Sequence, residues 1–533
     1  MRIGIKAFLA VAIVALLFAG CGPRRAGTQW QGIGDRYVPD PDIPAWRLDA
    51  REERVTLTWF VEAEWWNVGF GDDFVTRGIA EDLNIDIRFR VGGSDVLSTI
   101  FASGDLPDII TTFNMASTAV RGASLWALPL NELAGRYDPY FFNVASPDTL
   151  NWFRMADGNV YGYPNYSNTF RDYADNTIPA STAFLIRRDV YEAIGGLPMR
   201  TQEEFAYALS VIRERFPALR PFGTGAGVGY LGTTLQNFLG VPIETDDGEF
   251  YDRNLDEDYL SWIRFFNVLH RNGYIDDDRF ALPQSIFEEM IRAGSFATIL
   301  ADNLPNLSGS LQLWKADNPG AEYIAIDGPV SALGRPPTLS QAGISGWMIN
   351  FITRQAVDPA VAIQVFTYLL SERGQMLVFF GREGETFRRL PNGNVEFLPE
   401  IAEVRDNDNF RFRNEYRFAE FILFGHDRWN SINEYAFLEA VRQPQAWGRG
   451  KLVPQFVIEN IAPDPGTPHA LSLERVSNEW SRTLINLVRA ANDAEFDATL
   501  ESFRRFRVNN NWDGIVAIYN QNMARNRERL GID

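Results

Sequence analysis

Residues 342–387 read AGISGWMINFITRQAVDPAVAIQVFTYLLSERGQMLVFFGREGETF, and the order of elements in this stretch decides the fold. Gly346-Trp347-Met348-Ile349-Asn350-Phe351-Ile352 has the branched and aromatic content of a short buried strand. Asp358-Pro359 then starts a helix, with an acid at the N-cap and proline at the first helical position. Val361, Val365, Leu369 and Leu370 recur at helical spacing along it. Glu372-Arg373-Gly374 carries an early stop signal, and the apolar run to Phe380 predicts that the helix continues as a second piece. Gly381 and Gly384 bend Arg382-Glu383-Gly384-Glu385 into a charged tight turn.

Toward the N-terminus, the folded body opens with Val55-Thr56-Leu57-Thr58-Trp59-Phe60-Val61, an alternating, branched strand. A loop with Glu62, Glu64, Trp65 and Trp66 follows, then a helix to about Leu83 and a second strand over residues 85–90. A short helix over 94–102 leads to Ser103-Gly104-Asp105-Leu106-Pro107-Asp108-Ile109-Ile110. Strand, helix, strand, helix, strand at these spacings predicts a parallel α/β lobe. Asp108, beside Pro107 and Gly104, reads as a structural tie for backbone amides.

Several blocks resemble one family. They are the Trp-bearing strand, the Pro359 helix with Leu369-Leu370-Ser371, the Gly381–Phe387 turn, and Ala102-Ser103-Gly104-Asp105-Leu106-Pro107-Asp108. Gly158 to Pro164, Ala183 to Gly195 and Thr201-Gln202-Glu203-Glu204-Phe205 add to them in order. The chain resembles the lipoprotein-anchored extracellular solute-binding proteins of bacterial ABC importers, in the oligosaccharide-associated group. In scattered blocks the likeness covers nearly all of residues 54–525. It implies a two-lobed, periplasmic-binding-protein-like α/β fold (type II), each lobe a mixed, mostly parallel sheet flanked by helices, with the ligand cleft between them. Lobe 1 is expected over 54–164 and 340–387, lobe 2 over 165–339 and 388–533, with hinges near Tyr163 and Ala342. The implied partners are a sugar ligand, a two-subunit permease and a separate ATPase; a monomer is expected, with no cofactor.

The first twenty residues read as a processing segment. Arg2 and Lys6 form a basic start, residues 7–18 an apolar core too short to span a bilayer comfortably, and Ala19-Gly20-Cys21 a lipobox ending. Phe18 stands three residues before the cysteine, where leucine is usual. Cys21 is therefore the expected lipidation site, and residues 21–53, rich in proline and glycine, the flexible tether from membrane to body. The expected location is the cell membrane, with the body facing the periplasm or the exterior. Cys21 is the only cysteine among 533 residues, which leaves no intramolecular disulfide and no cysteine zinc site. The formal charge of −19 becomes more negative by two once Arg2 and Lys6 are removed. Nucleic acid as a partner is excluded on that charge.

Catalytic signals are weak. His270, His426 and His469 stand apart from one another in sequence. No phosphate, dinucleotide or nucleophile-elbow motif lies between a strand and a helix, and the glycine-rich stretch Gly223 to Gly229 lacks the Lys-Ser/Thr of a phosphate loop. It reads instead as a cleft-lining loop. Asp246-Asp247-Gly248-Glu249 and Asp276-Asp277-Asp278 lack the alternating spacing of a calcium loop. Glu383 and Glu385, two apart on one turn, cannot flank a sugar ring as a glycosidase pair does.

The positive signal is aromatic. Sugar rings stack their C–H faces on aromatic rings, and their hydroxyls take polar partners. Trp59, Trp65, Trp66, Phe113, Tyr163, Tyr166, Tyr230 and Trp347 fall in or just after predicted strands, beside polar loop residues. The expected ligand-binding set is Trp65, Trp66, Asn114, Tyr163, Tyr166, Tyr230, Asp302, Asn303, Trp347 and Glu385, with no catalytic and no metal residue. Trp66, Trp347 and Asp302-Asn303 lead it because they sit near strand ends that face a cleft. Trp66→Ala and Trp347→Ala are each expected to weaken binding and leave the fold intact. A peptide receptor on the same architecture, or a tethered glycoside hydrolase, are the alternatives.

Overall fold

The computed structural model describes residues 32–532 except 114, 116, 226–228, 340–342 and 434–437. The expectations for the signal segment, Cys21, Asn114 and the Ala342 hinge lie outside the described residues. In the first lobe, β1 (Val55–Val61) pairs in parallel with β2 (Ile85–Val91) and β3 (Ile109–Thr112). Helices α1 (Phe74–Leu83) and α2 (Ser94–Ser103) make the crossovers. α1 is capped by Asp73, whose carboxylate accepts from the Thr76 N–H at 2.9 Å, and ends on Asn84 in the left-handed region. Asp108 ties the turn as expected: its carboxylate accepts from the backbone N–H of Thr58 and Val357, both at 2.6 Å.

The chain leaves this lobe along β4 (Gly162–Pro164) and builds a second sheet. That sheet uses β5 (Ala183–Arg187), β6 (Arg220–Gly223), β7 (Phe296–Ala301) and β8 (Tyr323–Ile326), in the order β6-β7-β5-β8. Helix α3 (Leu304–Asp317) follows β7. The chain then returns along β9 (Ile349–Ile352), antiparallel to both β3 and β4, completing the order β2-β1-β3-β9-β4. The fold is the two-lobed α/β class expected. Its antiparallel share is larger than alternating strands and helices imply: β5 runs antiparallel to β7 and to β8. β9 opens the return segment, and α4 (Pro359–Leu370) and α5 (Glu372–Phe380) follow it as the two predicted helical pieces. They break at Ser371, whose hydroxyl caps the second by accepting from the Gly374 N–H.

Two boundaries differ from expectation. Residues 32–53 are not a free tether. Tyr37 and Ala45 are buried, Arg36 bridges Asp49 and Asp358, and the Ala45 N–H donates to the fully buried Asp138 at 3.0 Å. The prolines that suggested a spacer shape a strap that lays Ile33, Tyr37, Ala45 and Trp46 against the first lobe and leaves Val38 exposed. The second difference is residues 388–429, expected in lobe 2. Val395, Ile401, Phe418, Phe421, Leu423 and Phe424 instead pack in the first core with Trp59, Trp66 and Phe366. Their dense aromatic content needs a large apolar neighbour, and the nearest one is the first sheet. Among the described residues the chain is back in the second lobe's core at α6 (Glu439–Gly448), where Ala440 and Val441 pack.

Candidate functional site

At one edge of the first sheet, four aromatic rings follow the strand order. Trp65 lies just after β1, Phe113 just after β3, Trp347 just before the antiparallel β9, and Tyr166 just after β4. All four positions are therefore at the same end of the sheet. Ring centroids are 5.9 Å apart for Trp65–Phe113, 5.4 Å for Phe113–Trp347 and 6.0 Å for the stacked Trp347–Tyr166 pair. Trp65 is 59% exposed, while Phe113, Trp347 and Tyr166 are half-buried. A cavity of about 590 Å3 opens over Glu62, Glu64, Trp65, Gly93, Ser94 and Phe113. Glu62 is held at its rim, accepting from the Thr112 hydroxyl and the Phe113 N–H.

The wall is held from behind by Asn165. Its side-chain oxygen accepts from the Met348 N–H at 3.0 Å, and its amide donates to the Ile422 carbonyl at 3.0 Å. Gly346 is required at this join: its φ is +64°, and a Cβ would lie 1.9 Å from the Asn165 carbonyl oxygen. Tyr166 sits against Gly425, and burial pushes its hydroxyl pKa well up. Nearby, Glu459 clasps the return segment through the Ile344 and Ser345 N–H groups, both at 3.0 Å. Asn168 donates to the buried Asp427 at 3.0 Å, and burial raises that carboxyl to about 6.

The second lobe presents its own group. Since β5 begins where β7 ends, Ala183 pairing with Ala301, the chain enters this lobe at the end that carries Asp302. Asp302 accepts from the Thr234 hydroxyl at 3.1 Å and from the Asn303 N–H at 2.7 Å. Asn303, exposed and left-handed at φ 55°, leads into α3. Tyr230, half-buried, packs edge-on to Phe287 at 5.9 Å, and burial raises its hydroxyl to about 12. The Thr182 hydroxyl, buried at the same end, has no hydrogen-bond partner among the described residues.

Three expected site residues stand elsewhere. Trp66 is 4% exposed and packs on Phe89 and Phe421, so it belongs to the core. Tyr163 is buried, and its hydroxyl oxygen accepts from the Ser146 N–H at 3.0 Å. Glu385 is exposed beside a different cavity of about 730 Å3, which Asp82 and Arg373 also line. Asp82 is in the last turn of α1, just before β2 begins, so Glu385 lies at the opposite end of the sheet from Trp65. Phe113 joins the wall although the expected site omitted it; its place immediately after β3 was the available signal. Glu459 and Asp427 had none, because their partners are more than 100 residues away. Among the described residues, no cluster of three or more His, Cys, Asp or Glu could hold a metal ion, and no helix is long and apolar enough to cross a membrane.

No protein-family model and no curated protein matches the sequence. Solved structures do match in fold. The alginate-binding protein AlgQ2, in a calcium-free structure, aligns with a TM-score of 0.64 at 17% identity, over 89% of this chain and 99% of that one. An extracellular solute-binding protein from Bifidobacterium longum subsp. infantis gives 0.66 at 14%, over 89% and 98%. The S. pneumoniae ABC-transporter substrate-binding protein FusA, in complex with kestose, gives 0.60 at 14%, over 89% and 99%. At these identities the likeness establishes the fold: this chain has the two-lobed architecture of solute-binding proteins.

Proposed function

We propose that this chain is the solute-binding component of an ABC importer and captures an oligosaccharide between its lobes for delivery to a membrane permease. The observation that carries the reading is the ladder Trp65–Phe113–Trp347–Tyr166 along one sheet edge. A row of rings at successive strand ends suits successive sugar faces, and Glu62 and Glu64 beside it suit hydroxyls. Tyr230, Asp302 and Asn303 meet the ligand from the second lobe. Contacts to both lobes favour the closed state, with bending at the crossings around residues 165–169 and 343–346. Neighbours of the same fold that bind alginate or kestose support a sugar over a peptide. The reading assigns no catalysis: Glu383 and Glu385 lie exposed on one turn, away from the aromatic wall. Lipidation at Cys21 would hold the monomeric protein on the outer face of a membrane, beside a permease served by a separate ATPase.

The test is calorimetric titration of the protein with oligosaccharides of rising length, alongside short peptides. Saturable sugar binding without product release is the expected result. Binding of peptides alone, or cleavage of the sugar, would overturn it.

A further inference from the structure

Away from the aromatic wall, a second cavity of about 190 Å3 lies where the chain crosses between lobes. One side is the segment just before β5, with Asn176 and Pro179; another is Ser431, near the end of the first core. The third is the end of α6, where Arg442 and Gln445 are one turn apart on the helix and Arg449 follows as its C-cap in extended backbone. The helix is fixed closely at this point, since a Cβ on Gly448 would lie 2.2 Å from that of Ala180.

Gln445 identifies the site. It is 7% exposed and lines the cavity, yet among the described residues neither its Oε1 nor its Nε2 has a hydrogen-bond partner. A buried amide without partners is rare and marks a group that is satisfied by something else. Its two atoms ask for opposite things, a donor for Oε1 and an acceptor for Nε2. A bare inorganic anion supplies only acceptors. A hydroxyl supplies both, and Asn176 and Ser431 add further hydroxyl partners. Two guanidiniums line the cavity, Arg442 from α6 and Arg449 from the residue that caps it, and a carboxylate is the matching group. The volume is below the ~300–1,000 Å3 that drug-sized ligands occupy, so it admits one ring or a short acid and not a chain.

We infer that this inter-lobe cavity binds a single small hydroxy-carboxylate, of the class of a monomeric sugar acid. The ligand's carboxylate pairs with Arg442 and Arg449, and its vicinal hydroxyls meet both ends of the Gln445 amide. The site shares no lining residue with the aromatic cavity, so it stands whatever the cleft binds.

The probe is D-glucuronate, titrated into the whole protein by calorimetry, with D-glucose and sodium sulfate in parallel. Saturable glucuronate binding is expected, with glucose and sulfate at least tenfold weaker. Gln445→Leu and Arg449→Gln should each weaken glucuronate tenfold or more, with melting temperatures near that of the parent. Trp65→Ala should leave glucuronate binding unchanged. Absence of glucuronate binding, equal binding of sulfate, or undiminished binding in both the Gln445 and Arg449 variants would overturn the inference. Loss of glucuronate binding in Trp65→Ala would move the ligand to the aromatic wall and overturn it equally.

Discussion

Trp65 and Trp66 are adjacent in sequence and opposite in role. Trp66→Ala should empty a packed aromatic site and cost about 3–5 kcal/mol of stability, measured by denaturant unfolding. The sequence alone suggested that this variant would spare the fold; its burial reverses that. Trp65→Ala and Trp347→Ala should instead lower sugar affinity by about 1–2 kcal/mol, or about 5–30-fold in Kd. Trp65→Ala should leave the melting temperature nearly unchanged, because its ring is mostly in solvent. Unchanged affinity in both variants would remove the aromatic wall from the site. Asp138 makes a separate prediction. Burial raises its carboxyl to about 6, against the lowering effect of the Ala45 N–H. The folded chain then holds that proton more tightly than the unfolded chain, so this group costs stability as pH rises from its ordinary value near 4 to about 6. Asp138→Asn should abolish that loss and leave the protein about 1–3 kcal/mol more stable than the parent at pH 7.5. Thermal melts from pH 4 to 8 would show the two curves converging in acid.

At the scale of elements, β9 is the piece on which the others depend. Asn350 on it donates to the Tyr163 carbonyl at 3.2 Å and the Leu423 carbonyl at 2.7 Å, and accepts from the Thr111 hydroxyl at 2.6 Å. Thr111 in turn accepts from the Trp59 indole at 2.8 Å. This buried chain ties β1, β3, β4 and the 388–429 segment to one strand. Asn350→Leu leaves three polar groups unmet and should cost about 3 kcal/mol or more. Amide exchange should rise in residues 418–424 ahead of the second lobe. Exchange that rises uniformly would mean the segment is not held through β9. The helices were legible for a simpler reason: Asp73, Thr201 and Asp358 cap them with side chains that the sequence displays.

For the whole molecule, the strap over residues 32–53 is part of the first lobe. Burial would raise the Asp49 pKa, but hydrogen bonds from Arg36 and Gln364 hold it at about 2. A chain beginning at residue 54 loses this network and the buried Tyr37, and should melt earlier in its first-lobe transition. An unchanged melt would return the strap to the role of a loose tether. Small-angle scattering should show a smaller radius of gyration with a bound oligosaccharide, as the lobes close.

Local rules determined much of this protein. Strand periodicity, caps and glycine turns placed β1 to β3 and the broken pair α4 and α5, because each depends on neighbours a few residues apart, while the two-lobed class followed from the resemblance those blocks carry. They also placed Trp65, Tyr166 and Trp347 at strand ends. Tertiary structure alone decided which aromatics are wall and which are core, since Trp65 and Trp66 differ only in the side of the loop they take. It likewise decided the home of residues 388–429 and the strap, and the separation of Glu385 from the cleft. Those outcomes rest on contacts between residues hundreds apart, where the surface that is buried depends on what the rest of the chain leaves open.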